Sequence, residues 1–371
     1  MKIIVIGFLE LDALPPAITL LKILSKKNKV FYIGIDDMND RYRNIFGNNI
    51  KFYNIMPHIK KSNIPYIQKL NSFIFWRMYK YNLLKGGKIL NKVYKKGDIV
   101  WVLHEYTLMH MGNVLGNIPY FLTMYELHPD IFKKKSKLKK MVKNASKVIV
   151  PEYARSAIVQ ACAGLADLPY VIPNKPYEFN EADIYLENNP LEKIVKQVHD
   201  KKKLIILYSG IFLRERKLDT ILEAVNDLKD KYEMVLAGRE SDYLKELLIK
   251  YPDVKYLGFT VPPKHLSIVK LADIGILTYV ADSGSINPVF CAPNKIWEYA
   301  KYGIPMLCND IPGLKYTVEY YRTGYCCDIN SVNDIKEKLN NIYYNYEEFS
   351  KNAKTYYESI DVEKLVLDLL K

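Results

Sequence analysis

Short apolar runs alternate along the whole chain with longer segments whose apolar positions recur at helical spacing. This is the pattern of a parallel sheet covered by helices. In the first half the runs predict strands over Ile3–Ile6, Val30–Ile33, Lys51–Ile55, Ile99–Leu103, Tyr120–Met124, Val148–Val150 and Tyr170–Ile172. Pro173-Asn174-Lys175-Pro176 interrupts the alternation, and the polar stretch from Glu178 to Asn189 reads as a linker. A second set of strands is predicted over Leu204–Tyr208, Met234–Ala237, Val254–Leu257, Ile274–Thr278, Pro305–Cys308 and Gly324–Cys327. The two sets share no motif or period, so they are not a sequence repeat. The expected fold class is α/β, with two doubly wound (Rossmann-like) domains facing across a cleft. In such sheets ligands bind outside the carboxyl ends of the strands, which directs attention to the loops that follow them.

The length of 371 residues fits two domains. No run approaches the ~18 apolar residues of a membrane-spanning helix. The opening Met1-Lys2-Ile3-Ile4-Val5-Ile6-Gly7 has signal-peptide character but meets Glu10 and Asp12 without a small-residue cleavage site, and is expected to be a buried strand. Five cysteines, Cys162, Cys291, Cys308, Cys326 and Cys327, form no CxxC pair and leave an odd count. They argue against a disulfide framework and a zinc site and for a reducing cytosol. The vicinal Cys326-Cys327 reads as small buried hydrophobes at a strand end.

Charge is uneven. The net charge is +13, but residues 1–180 hold 28 basic and 12 acidic side chains, whereas residues 181–371 hold 26 and 29. The first half is short of carboxylates rather than rich in lysine. Within it, residues 57–97 interleave cations (among them Lys60, Lys69, Arg77, Lys85 and Lys92) with aromatic and aliphatic groups, and Lys133 to Lys143 forms a second cluster expected to be helical. Basic amphipathic segments suit an anionic membrane surface, each lysine near it contributing about 1 kcal/mol. A solvated helical face explains the same residues equally well.

The first strand runs into Gly7-Phe8-Leu9-Glu10, which lacks the glycine spacing of a dinucleotide fingerprint, and there is no phosphate-binding Walker sequence. The second half offers more chemistry. After Tyr208 come Ser209-Gly210-Ile211-Phe212-Leu213-Arg214-Glu215-Arg216-Lys217. A glycine turn followed by cations at a helix start suits a diphosphate, although three loop cations also fit solvated surface. Further on, the small-residue loop Asp282 to Asn287, with Gly284 and Ser285, can bring amides to a phosphate. It leads into Pro293-Asn294-Lys295-Ile296-Trp297-Glu298, where Lys295 and Glu298 share one face of a helix that Pro293 initiates. A carboxylate so placed can accept both ribose hydroxyls; a bare surface ion pair is the plainer alternative.

The ordered set Tyr208-Ser209-Gly210…Arg216…Leu222-Glu223-Ala224, Val235-Leu236-Ala237-Gly238, Val254 to Phe259, Leu271-Ala272-Asp273 and Pro293-Asn294-Lys295-Ile296-Trp297-Glu298-Tyr299-Ala300…Gly303-Ile304-Pro305 resembles the donor half of GT-B glycosyltransferases, close to glycosyltransferase family 4. The resemblance covers roughly 205–330; residues 1–180 are similar only in layout. It implies an acceptor domain over 1–180, a nucleotide-sugar domain over 181–354, and a final helix, about 355–371, packing back on the first. It places Arg216 at the donor diphosphate, Glu298 on the nucleotide ribose and Gly284 to Asn287 beside phosphate and sugar. Phe290 stands where the family has a first glutamate, Ile211 where it often has an arginine that Arg214 could replace, and Tyr125 where many members have a histidine. Gly210, Asn294 and Lys295 complete the expected donor site.

The implied reaction is retaining transfer from a nucleotide-sugar, a UDP-sugar foremost, to a glycan or a polyprenyl-diphosphate-linked acceptor in cell-surface polysaccharide synthesis. Arg216 with Arg214 or Lys295 would neutralise the leaving diphosphate without a metal, and no cofactor is expected. Glu126, His128 and His104 are candidates for a base or for acceptor contacts. A sugar-nucleotide 2-epimerase on the same architecture, and a basic nucleic-acid- or membrane-binding protein without catalysis, are the competing readings; no RNA- or DNA-binding motif supports the last. The expected place is the cytoplasm or the inner face of the plasma membrane.

Overall fold

The computed structural model describes residues 2–56, 81–280 and 285–371. Gly284 and the stretch 57–80 of the basic segment therefore lie outside the described residues. The chain divides into two compact units, Met1–Pro176 with Val362–Lys371, and Tyr177–Asp361.

Among the described residues, unit 1 is built on seven parallel strands: β1 (Lys2–Gly7), β2 (Lys29–Gly34), β3 (Ile50–Asn54), β4 (Ile99–Leu103), β5 (Tyr120–Thr123), β6 (Lys147–Val150) and β7 (Tyr170–Val171). Their order across the sheet is β3-β2-β1-β4-β5-β6-β7. The segment with signal-peptide character is thus a central strand, with Ile3, Ile4, Val5 and Ile6 wholly buried. An uninterrupted apolar run is what a strand covered on both faces requires, each such side chain contributing roughly 1.5–3 kcal/mol of burial. The final helix Val362–Asp368 lies against helix Pro15–Lys27 of this unit.

Unit 2 has, among the described residues, six parallel strands: β8 (Leu204–Ser209), β9 (Tyr232–Ala237), β10 (Lys255–Tyr256), β11 (Ile274–Leu277), β12 (Met306–Asn309) and β13 (Gly324–Cys327), in the order β10-β9-β8-β11-β12-β13. Successive residues feed opposite faces. Ile205 and Leu207 enter one core with Val235, Met306 and Tyr299, while Ile206 and Tyr208 enter the other with Leu236, Ile276 and Leu307. Cys326 and Cys327 divide between the two cores in the same way, and no cysteine among the described residues is in a disulfide. Helix Tyr346–Ser359 belongs to this unit, its Tyr356 stacking on Trp297 at 4.9 Å.

Two expected helices differ. Of the lysine cluster, only Lys137–Lys143 is helical, with Ser136 accepting from the Lys139 amide as its cap; Lys133, Lys134 and Lys135 precede it. The apolar face of that helix, Leu138, Met141 and Val142, is buried in the unit's own core, so only its cations face solvent. Arg214–Arg216 form a tight 3-10 turn, Lys217 follows in the left-handed region at φ +43°, and the helix proper begins only at Asp219. The cations therefore precede the helix start rather than occupy it. Among the described residues, no helix is long and apolar enough to cross a membrane.

Candidate active site

In both sheets the strand order reverses beside the first strand, between β1 and β4 and between β8 and β11. Such a reversal opens a crevice at the carboxyl ends of the strands. In unit 2 a cavity of about 390 Å³ lies there, walled by Ser209 at the end of β8, by residues that follow β8, β9 and β10 (Gly210, Gly238, Arg239, Phe259), and by His265, Lys295 and Glu298.

Two glycines make the floor possible. Gly238 sits at φ +156°, and a Cβ on it would lie 1.9 Å from the Gly210 carbonyl oxygen. Gly210, at φ +155°, would place a Cβ 2.4 Å from Lys295 Nζ. The amide of Gly210 donates to Ala237 O (2.8 Å) and that of Gly238 to Gly258 O (2.9 Å), closing the ladder beneath the cavity.

The helix Lys295–Lys301 presents the charged pair. Ile296, Trp297, Tyr299 and Ala300 are buried. The Tyr299 ring lies flush on Gly275 of β11, and its hydroxyl donates to Leu207 O at 3.2 Å. With four of its positions committed to the core, the helix turns Lys295 and Glu298, three residues apart, toward the cavity. Asn294 caps it from outside the cavity wall, its carbonyl accepting from the Trp297 and Glu298 amides.

Burial opposes both charges. It pushes the Lys295 ammonium down to about 8, with Arg216 adding to the shift and Glu298 resisting it. Burial also acts to raise the Glu298 carboxyl, but His265 and Lys295 outweigh it and hold the group below its ordinary range. His265 Nε2 lies 3.4 Å from Glu298 Oε1. The Lys295 Nζ faces the Tyr208 ring at 5.6 Å and, among the described residues, has no salt bridge.

Arg216 does not line the cavity, but it lies near enough to repel the Lys295 charge. Its guanidinium lies 4.2 Å above the Tyr279 ring and donates to Thr278 O (3.3 Å), while Thr278 Oγ1 donates back to Arg216 O (2.6 Å). Among the described residues no carboxylate neutralises it. Arg214 goes elsewhere: its guanidinium takes both oxygens of Glu246 at 2.7 and 2.6 Å and faces Tyr243, on the exposed side of the turn. It does not line the cavity. Ser285 is exposed and does not line the cavity.

Glu126 belongs to unit 1. It follows β5, half exposed, 3.5 Å from the buried Arg155 guanidinium. Nearby, His104 follows β4 at φ +73° and its Nδ1 accepts from the Tyr106 amide, and burial holds its pKa down at about 4. His128 follows Glu126, its Nδ1 accepting from the Asp130 amide. Thus Gly210, Arg216, Lys295 and Glu298 assemble in unit 2, and Glu126 sits on the rim of unit 1.

The cavity wall also includes Arg239, Phe259 and His265, to which the sequence assigned no role in the site. Arg239 stacks its guanidinium 4.0 Å above the Phe259 ring. A cation two residues past one strand and an aromatic three residues past its neighbour, both at the carboxyl end of one sheet, were signals in the sequence.

Residues 191–357 match the family described as Glycosyl transferases group 1. No curated protein matches the chain in sequence. Among solved structures, HepE of Anabaena in complex with UDP is 15% identical at a TM-score of 0.69, over 100% of this chain and 98% of that one. Sucrose-phosphate synthase from Thermosynechococcus elongatus is 14% identical at 0.68, over 100% and 97%. A glycosyltransferase from Rickettsia africae is 15% identical at 0.66, over 99% and 93%. These likenesses show a GT-B fold, and residues 191–357 match a glycosyltransferase domain.

Proposed function

We propose that the chain transfers a sugar from a nucleotide-sugar, a UDP-sugar foremost, to a glycan or a polyprenyl-diphosphate-linked acceptor in cell-surface polysaccharide assembly, with retention of configuration and without a metal. The observation that carries this reading is the partly buried Lys295 and Glu298 facing one cavity over the Gly210–Gly238 floor, with Arg216 near enough to repel the Lys295 charge. An ionised carboxylate at this depth suits the two vicinal hydroxyls of a ribose, and the Arg239–Phe259 stack offers a planar wall for the base.

In the transfer the bond from the sugar's anomeric carbon to the diphosphate breaks, and a bond to the acceptor oxygen forms. Negative charge grows on the departing diphosphate, where Arg216 and Lys295 stabilise it, already in position and partly shielded from water. The acceptor proton passes to the leaving phosphate, as in the retaining members the chain resembles. We assign acceptor binding to unit 1, with Glu126 as a contact for the acceptor hydroxyl. The cationic face of Lys137–Lys143 suits an anionic bilayer by charge alone, because its apolar side is spent inside the fold.

The test is nucleoside diphosphate release from a panel of sugar nucleotides, with and without lipid-linked acceptor, in EDTA. Release only with acceptor supports the transferase; a 2-epimer formed without acceptor would replace it with an epimerase, and loss of turnover in EDTA would overturn metal independence. Equal recovery with neutral and anionic vesicles would remove the membrane assignment.

A further inference from the structure

We propose that His265 is the positioning residue for Glu298, fixing the carboxylate that receives the donor nucleoside; this rests on the donor-site reading above. His265 is brought to the cavity by the loop after β10, whereas Glu298 comes from the helix after β11, so their contact ties two separate walls of the same cavity together.

The imidazole's two nitrogens have unequal surroundings. Nε2 lies 3.4 Å from Glu298 Oε1, and Nδ1 is buried with no hydrogen-bond partner among the described residues. A neutral imidazole has one donor and one acceptor nitrogen. A proton on Nδ1 alone would bury a donor with nothing to receive it and set the bare Nε2 lone pair against a carboxylate. The proton therefore belongs on Nε2, the nitrogen that faces Glu298 Oε1 at 3.4 Å, and the unmet group is the Nδ1 lone pair, the less costly one to leave unpaired.

The consequence is positional. A glutamate has three side-chain torsions, and a carboxylate that must meet two vicinal hydroxyls in one plane loses affinity when its rotor is free. Lys295 shares the helix with Glu298 and attracts its charge, but it has no salt bridge to it and does not fix its orientation. His265 is the group that touches an oxygen.

The experiment is calorimetric titration of the full chain with UDP, GDP and ADP, for the parent and for His265→Ala, His265→Phe and His265→Gln, alone and combined with Glu298→Ala. His265→Ala and His265→Phe are expected to weaken the nucleotide that the parent binds by about tenfold. The Gln variant, whose Nε2 can donate from a similar distance, is expected to recover most of that loss. In turnover, donor KM should rise while kcat at saturation stays within twofold. On the Glu298→Ala background the same changes should have no further effect on affinity.

If His265→Ala and His265→Phe bind as the parent does, or if they cost as much again without Glu298, the positioning role is wrong. A merely structural role would lower the melting temperature on both backgrounds and would not be rescued by Gln. If the parent binds none of the three nucleotides, the donor-site reading itself fails, a result separable from failure of the His265 assignment.

Discussion

Replacing Glu105 by Gln should abolish a pH dependence of stability in unit 1. Glu105 opens the helix that follows β4, its side chain is buried, and neither carboxyl oxygen has a well-formed hydrogen bond among the described residues, Oε1 lying 3.5 Å from His104 Nδ1 and the amides of Glu105 and Glu126 being near but poorly aligned. Burial pushes its pKa from 4.5 up to about 8, with the Glu126 charge adding to the shift and nearby amides and Arg155 opposing it. The unfolded chain gives up this proton above pH 4.5, but the fold holds it to about 8. Stability from this group is therefore complete below pH 4.5, falls as the pH rises through that window, and is flat above it. At about 1.4 kcal/mol per pH unit, the interval from about pH 5 to about pH 7.5 removes ~3 kcal/mol. Glutamine has nearly the same shape and does not ionise, so at about pH 5 it should change stability by ~1 kcal/mol or less, and at about pH 7.5 it should stabilise by ~3 kcal/mol. The assay is urea unfolding at constant ionic strength in a Trp297→Phe background, where Trp101, buried in unit 1, reports on that unit. Parallel stability profiles for the parent and the Glu105→Gln variant across that interval, or a variant weaker at every pH, would mean that the carboxyl is ionised and compensated in the fold, and would refute the reasoning.

Four further outcomes concern unit 2. Glu298→Ala removes charge-assisted bonds worth ~1.5–3 kcal/mol each, and should raise the nucleotide Kd between ~10- and 100-fold by calorimetry. Arg216→Ala should lower kcat by ~100-fold with a smaller change in donor KM, because its charge matters most as the diphosphate departs. Lys295, its pKa lowered to about 8, is cationic below that value and neutral above it, so kcat should decline as pH rises past 8 and the decline should move upward in Lys295→Arg. Gly238→Ala forces a Cβ to within 1.9 Å of a backbone oxygen and should cost at least ~2 kcal/mol in unfolding free energy, along with nucleotide binding.

The strands were legible because burial on both faces leaves a mark that needs no context. Each of the thirteen apolar runs read as a strand is one, with ends displaced by two residues at most, and both sheets follow the Rossmann order. The Lys295–Glu298 face was legible for a similar reason: the neighbouring Ile296, Trp297, Tyr299 and Ala300 are all core, so helical spacing alone left those two outward. The helical reading failed over Lys133–Ser136, where lysines have spacing but supply no apolar partner until Leu138.

What stayed hidden depends on partners distant in sequence. Arg214 and Arg216 are two residues apart on a turn of about three residues per revolution, so they must point to different sides. Nothing local says which one goes inward. The answer lies in Glu246, 32 residues downstream, which captures Arg214, and in Thr278 and Tyr279, which hold Arg216. His265 was missed similarly: it precedes the buried Leu266, Ile268 and Val269 and reads as the edge of a core helix, while the carboxylate that gives it a role arrives with the helix after the next strand. Charge shows the same limit. The +16 of the first half (28 basic less 12 acidic) suggested an amphipathic basic surface, yet helix Lys137–Lys143 has already buried its apolar side, so any attraction of that face to an anionic layer must be electrostatic and should weaken as salt rises.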